Sequence, residues 1–460
     1  MSAANLRALL VTSPSRQKNK FWTCSITSPV GSLMPPCDIA SVAAVLRGNG
    51  IEPKILDMRL FKRPFDALRN EIVSFRPDAI LTNIATATAI EDYPILHIAK
   101  ESSVAKRVVF GFHAMALPEE LFKEGATHIL VGDPEYSASS AVKGESIERG
   151  LWTADNYSSQ PGWIEDLDTL PYPALDLIDL KAYHSLIMGK GPFSILLANR
   201  GCPYPCSYCV IPFLLGRKLR TPSVGRVVGE IERDYNEFGI RSFFFIDSAI
   251  NLNPQWTQAF CEEVLRRGLK IRWCSNMRVS PISRELLEIM KSSGCFRLFF
   301  GVEDLDLVTE LNRKTTKEAT ISAFRLAREV GIETVAFIIL FPGYDRSEKD
   351  MARRIINMVS ELKADALQCN IAIPYPGSSI FPEFMQKYNM TRDWSCYDPA
   401  GNRPPFPCDI DLLKVRRSVY MGFFIRNPKY VWQTIKSTDL RSLFTFAKNS
   451  AMVLWGREKG

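Results

Sequence analysis

Short apolar runs alternate with amphipathic stretches along most of this chain, in two series, and that alternation restricts it to α/β architectures. In the first series Ala8-Leu-Leu-Val-Thr12, Pro53-Lys-Ile-Leu-Asp57, Ala79-Ile-Leu-Thr82, Val108-Val-Phe110 and His128-Ile-Leu-Val131 read as strands. Helical spacing lies between them, as in Cys37-Asp-Ile-Ala-Ser-Val-Ala-Ala-Val-Leu46 before Gly48-Asn-Gly50. Five such strands predict a doubly wound parallel sheet over residues 1–150, with any ligand at the carboxyl ends of its strands. Residues 151–190 are punctuated by proline and read as an extended linker. The second series, over 191–390, has six strands starting at Phe193, Ser242, Ile271, Arg297, Thr334 and Ala366. Six units are too few for a closed eightfold barrel, so an open, partial (β/α)6 barrel is expected. Residues 391–460 form a helical C-terminal region in this reading.

The first strand of the second series runs into Asn199-Arg-Gly-Cys202-Pro-Tyr-Pro-Cys206-Ser-Tyr-Cys209. Three thiolates this close can surround one corner of an iron–sulfur cube, and a fourth iron is then left for another ligand. A structural zinc site wants four ligands, and the four histidines, His97, His113, His128 and His184, all lie upstream. Eleven cysteines without regular spacing do not suggest a disulfide framework. The C-x3-C-x2-C spacing after a strand, with Arg200-Gly201 before it and Tyr208 inside it, resembles the defining motif of the radical S-adenosylmethionine (SAM) superfamily. That resemblance implies a 4Fe-4S cluster on Cys202, Cys206 and Cys209 and SAM on the open iron. It also implies a TIM-like partial barrel, and reductive cleavage of SAM to methionine and a 5′-deoxyadenosyl radical.

Beside such a loop, the first series resembles the Rossmann-like cobalamin-binding domain of cobalamin-dependent radical SAM enzymes. The segments that carry this are Leu33-Met-Pro-Pro36, Gly111-Phe-His-Ala114 with Pro118-Glu-Glu120, and Val131-Gly-Asp-Pro-Glu135. The style is that of magnesium-protoporphyrin cyclase-like and hopanoid-methylase-like members. Thr82 and Gly111, at strand ends, are the cobalamin-binding candidates. The Asp-x-His-x-x-Gly element of methionine synthase-type corrinoid domains is absent, since Thr12-Ser-Pro-Ser-Arg-Gln-Lys18 has no histidine. His113 is expected to pack or touch the corrin rim rather than bind cobalt.

The same resemblance assigns SAM contacts to strand ends of the second series. Gly301-Val-Glu-Asp304 stands where the family has Gly-Ile-Glu-Ser, with Glu303 near the methionine and ribose portions and Asp304 in place of the serine. Arg313 matches an arginine that pairs with the SAM carboxylate, a charge-assisted bond of the strong kind. Arg278 and Asp247 are further candidates. Asn276 replaces an acidic residue, and Ile373-Pro-Tyr-Pro-Gly377 matches the segment packed against adenine. For each residue the plain alternative is a solvated arginine or a simple turn. No residue is assigned a catalytic role.

Composition bounds the rest. A chain of 460 residues with 46% hydrophobic and 23% charged side chains is ordinary for a globular protein of two or three domains. Neither a secretory pattern nor an apolar run of membrane-spanning length stands out, and many unpaired cysteines suit a cytoplasmic location. A net charge of +7 does not call for nucleic acid as a partner. From Leu412 to Trp455 helical spacing continues with excess Lys and Arg and with Phe423, Phe424, Tyr430, Trp432, Phe444, Phe446 and Trp455 interleaved. Such a stretch covers the open mouth of its own domain or makes peripheral contact with a membrane, and the cover is the commoner role.

The expected function is methylation of an unactivated carbon on a small-molecule substrate, apolar or bulky, through methylcobalamin and a deoxyadenosyl radical. The electron donor would be flavodoxin- or ferredoxin-like. Cyclase-like oxidation or rearrangement shares every motif, and a radical SAM enzyme without cobalamin is the next alternative. A methylthiotransferase lacks support because Cys24 and Cys37 do not make a second trio. A non-enzymatic iron–sulfur sensor would not need the SAM-contact candidates.

Overall fold

The computed structural model describes residues 6–15, 32–185, 187–401 and 403–428, and the backbone of 18–21 and 24–27. Its first sheet has the order Glu52–Leu56, Arg7–Val11, Ala79–Asn83, Lys106–Phe110, His128–Leu130, Leu151–Trp152. The first five strands are parallel, and Leu151–Trp152 is antiparallel to its neighbour. Chain order therefore reverses between Arg7–Val11 and Ala79–Asn83, the topological switch point at which open sheets bind ligands. Leu9, Leu10, Val11, Ile80 and Leu81 are fully buried, the continuous apolar run that a parallel strand covered on both faces requires. The helix Cys37–Gly48 follows and stops at Asn49 and Gly50, where φ is +76°.

The proline-rich segment does more than span. Residue 151 opens the sixth strand of the first sheet, and His184 pairs back with Leu33. Within it Tyr183 donates to Asp57 Oδ2 at 2.9 Å. Arg59 lies on the same carboxylate and outweighs burial to hold Asp57 below its ordinary range. The ends of Arg7–Val11 and Glu52–Leu56 are thereby tied together, because Thr12 Oγ1 donates to Asp57 Oδ1 at 2.8 Å.

The second sheet is Phe193–Leu196, Ser242–Phe245, Arg272–Met277, Cys295–Glu303, Glu333–Leu340, Ala366–Ile371, all parallel and in chain order. Its first and last strands do not pair, so the barrel is open as expected. Exposed strand edges invite aggregation, and both are covered. Helix Cys37–Gly48 lies on the first strand, where Cys37 Sγ and Ser194 Oγ are 3.7 Å apart. Helix Leu412–Arg426 lies on the last, with Cys369 N–H donating to Tyr420 at 3.0 Å. The C-terminal helix thus covers an edge strand and the helix Glu348–Leu362. Of the predicted tail, Tyr430, Trp432, Phe444, Phe446 and Trp455 lie outside the described residues. One apolar core runs from Ala8 to Phe423 through both sheets.

Candidate active site

The cysteine loop is fastened from four sides. Asn199 N–H donates to Asp247 Oδ1 at 2.8 Å, at the end of the second strand. Arg200 and Arg220 exchange backbone hydrogen bonds, and Cys202 N–H donates to Gly216 O at 3.1 Å. Gly201 sits between them at φ +89°, where a Cβ would lie 2.1 Å from Lys218 O, so only glycine fits. Ser207 N–H donates to Leu311 O at 3.2 Å, and Ile380 N–H donates to Ser207 O at 3.1 Å. The bond from Cys209 N–H to Cys206 O, 3.2 Å, closes the turn that joins the second and third cysteines.

Burial pushes the Cys209 thiol up to about 12 and raises Cys202, with Cys206 adding to both, while Arg278 and Arg313 act in the opposite sense. Thiols so placed shed their protons to a bound cation rather than to water. Among the described residues no three His, Cys, Asp or Glu are placed to hold a single metal ion. An iron–sulfur cube is met by sulfurs at separate corners, and Cys202, Cys206 and Cys209, carried on one loop fastened in this way, are the residues that would hold it.

Beside the loop, the fourth strand bulges between Gly301 and Glu303, and Glu303 takes φ +56°. A non-glycine residue there is held against its preference. The bulge aims Glu303 at Tyr208, whose hydroxyl donates to Glu303 Oε1 at 2.9 Å. Arg313, 3% exposed, ion-pairs with Glu303 and donates to Tyr208 Oη at 3.2 Å and to Gly301 O at 2.7 Å. Arg278 donates to Arg313 O at 2.6 Å and lies 3.5 Å from the Tyr204 ring centre. The structure therefore gathers Gly301, Glu303, Arg313 and Arg278 around the two tyrosines that flank Cys206. Without a ligand, Arg313 is partnered by Glu303.

Asp247 stands apart from that group. It is fully buried, burial lifts it to about 7, and its Oδ2 has no partner. Asn199 Oδ1, Ser207 Oγ, Ser248 Oγ and Thr315 Oγ1 are also buried and unpartnered. All five lie in loops that follow the strands. Each such atom costs about 1–3 kcal/mol if left unsatisfied, a cost that a polar ligand would remove. Asp304, read as replacing a hydroxyl contact, instead caps its own turn and accepts from Arg354 at 2.6 Å. Asn276 donates to Asp247 O at 3.0 Å.

Ile373 is buried just past the last strand. The turn it opens carries Tyr375, whose ring meets Phe112 of the first sheet's loops at 5.3 Å. Next to Phe112, Gly111 has φ +100°, and a Cβ would lie 2.3 Å from Asn83 Oδ1. Thr82 is fully buried with Oγ1 unpartnered. At the switch point a crevice is lined by Thr12, Ser13, Pro36, Asp38 and Asn83. Both nitrogens of His113 are engaged, at 3.1 Å from Thr86 Oγ1 and 3.0 Å from Tyr93 Oη, as packing rather than metal ligation requires. Glu120 accepts from Tyr93 and, at 2.6 Å, from Trp394 beyond the second sheet.

Sequence reasoning missed how the two units are joined. Arg200, two residues before Cys202, makes a bidentate pair with Glu135 at 2.8 and 3.1 Å. Ser41 donates to the same carboxylate at 2.8 Å, and Arg220 pairs with Asp133. Val131-Gly-Asp-Pro-Glu135 thus bolts the first sheet to the cysteine loop. Both halves of the joint, Val131-Gly-Asp-Pro-Glu135 and Arg200-Gly201, stood out in the sequence, but for other roles.

A family model described as the radical SAM superfamily matches residues 196–355. A protein of Pyrococcus horikoshii named an uncharacterized methyltransferase is 27% identical over 451 residues, 94% of this chain and 95% of its own length. The anaerobic magnesium-protoporphyrin IX monomethyl ester cyclase of Cereibacter sphaeroides is 26% identical over 392 residues, 79% of this chain and 62% of its own. Among solved structures, the radical SAM methyltransferase TsrM of Kitasatospora setae, with cobalamin and a [4Fe-4S] cluster bound, superposes with a TM-score of 0.68 at 18% identity. That match covers 83% of this chain and 78% of that one. Residues 196–355, which start at the end of the first strand of the second sheet and include the whole cysteine loop, are thus similar to the radical SAM superfamily. The chain's two-sheet architecture is that of the cobalamin-bound member just described.

Proposed function

We propose that this protein is a cobalamin-dependent radical SAM methyltransferase acting on a small molecule. The observation that carries the reading is the Arg200–Glu135 and Arg220–Asp133 contact, which fixes the cysteine loop against the strand-end loops of a switch-point sheet. Cysteines 202, 206 and 209 would hold the cluster, the strand ends around Arg313 would hold SAM, and the crevice near Thr82 and Gly111 would hold cobalamin. When bound, these groups supply an electron to the SAM sulfonium and a methyl group for transfer.

The chain's own contribution is positioning. Arg313 presents a fork suited to a carboxylate, and Glu303 holds that fork in place until one arrives. Tyr208 orients Glu303. Asp247 Oδ2 and Ser248 Oγ offer hydrogen bonds, and Asp247 Oδ1 keeps the approach to Cys202 fixed. Gly111 leaves no side chain between two strand ends. Phe112, Tyr375 and Trp394 pack where the two units meet and exclude water.

Methyl transfer is preferred to cyclisation because the relative spanning 94% of the chain is named a methyltransferase. Radical SAM enzymes draw on an external electron donor, and we assign a flavodoxin- or ferredoxin-like one here. Among the described residues no helix is long and apolar enough to cross a membrane. The test is product analysis after anaerobic reconstitution with iron, sulfide, SAM and a low-potential reductant, with and without cobalamin. We expect 5′-deoxyadenosine in both cases but not from Cys206→Ala, and S-adenosylhomocysteine only with cobalamin. Undiminished 5′-deoxyadenosine from Cys206→Ala would contradict the cluster assignment. Cobalamin-independent S-adenosylhomocysteine would contradict the methyl route.

A further inference from the structure

The positive charge of this chain is placed at one end. From Leu412 onward ten Lys and Arg face two acids, Asp439 and Glu458, whereas the preceding 411 residues hold 47 basic and 48 acidic side chains. The last 49 residues therefore account for the whole net charge of +7. In the described part of this stretch, helix Leu412–Arg426 turns Leu412, Val415, Val419 and Phe423 inward. Lys414, Ser418, Met421 and Ile425 remain outside. Their spacing of four, three and four residues makes one stripe along the helix. Met421 is 44% and Ile425 73% exposed, large apolar side chains one turn apart that none of the described residues covers.

Alongside the stripe a groove opens toward helix Glu348–Leu362, lined by Lys349, Arg353, Lys414 and Arg426, with Glu348 as its one acid. Glu348 accepts from Asp411 N–H at 3.4 Å, and Arg426 is fixed by Ser360 at 2.8 Å. Lys349, Arg353 and Lys414 make no ion pair among the described residues. Exposed aliphatic side chains ringed by unpaired cations are the pattern of a helix that lies on a lipid surface. Nucleic acid would use the cations but has no use for Met421 and Ile425. A second copy docking through this same face would bring like charge and be repelled.

We propose that the face formed by helices Glu348–Leu362 and Leu412–Arg426 docks on an anionic phospholipid bilayer. This inference is independent of the cofactor reading. The full chain is to be sedimented with vesicles of phosphatidylcholine alone and with vesicles made anionic by phosphatidylglycerol. Binding to the anionic vesicles only is expected, with loss at 1 M salt, where the screening length falls to about 3 Å. Arg353→Gln and Lys414→Gln should each weaken partitioning about fivefold, the factor set by one basic residue near a charged surface. Met421→Ser with Ile425→Ser should weaken it while leaving cluster loading unchanged. Equal binding to both vesicle types, no binding, undiminished binding by these variants, or tighter binding to duplex DNA than to anionic vesicles would overturn the proposal.

Discussion

Arg313 has three partners within one loop's width: the Glu303 carboxylate, the Tyr208 hydroxyl and the Gly301 carbonyl. A lysine keeps the charge but loses the fork, so Arg313→Lys should raise the SAM concentration needed for half-maximal cleavage. Arg313→Gln should raise it about 10- to 150-fold, the equivalent of one charged hydrogen bond worth about 1.5–3 kcal/mol; steady-state 5′-deoxyadenosine assays check both. Asp247 carries a different signature. Its folded value of about 7 lies above the ordinary 3.8 because burial disfavours the anion. The folded state therefore holds the proton more tightly, and stability is lost as pH rises from about 4 to about 7. Asp247→Asn should flatten that slope in denaturant titrations across the window. The cysteines, Glu303 and Arg313 were legible in sequence because each sits in a short pattern. Glu135 was not, since its partner Arg200 is 65 residues away and no local pattern marks a long-range ion pair.

At the scale of elements, all eleven parallel strands of the two sheets were legible from apolar runs punctuated by turns, and the strand from Ile271 was placed within a residue of its observed start. Leu151–Trp152 escaped because two residues carry no period. Edge covering escaped too, since nothing in Cys37–Gly48 says that its helix will serve a strand 150 residues later. The joint between the units makes a sharp prediction. Glu135→Ala leaves the buried Arg200 and Arg220 to share the one carboxylate of Asp133, and breaking a buried pair from one side costs about 3–5 kcal/mol. Chemical denaturation should show a loss of that order. Arg200→Met combined with Glu135→Leu, which removes both charges, should recover most of it.

For the whole molecule, the shared core and shared joint mean that the units are not independent. Residues 151–460 alone would bare the first strand of the second sheet and leave Arg200 and Arg220 without their carboxylates. We expect that fragment to be aggregated or to lack a cooperative melt, whereas the full chain melts cooperatively. A fragment that loads a cluster and melts sharply would show that the joint is dispensable. The account as a whole rests on one chain holding two cofactors side by side. The most direct test is to reconstitute the full chain anaerobically with iron, sulfide and excess hydroxocobalamin, remove unbound material by gel filtration, and quantify what stays. We expect about four irons and stoichiometric cobalamin to be retained by the same protein. Full iron loading with cobalamin left in the unbound fraction would contradict it.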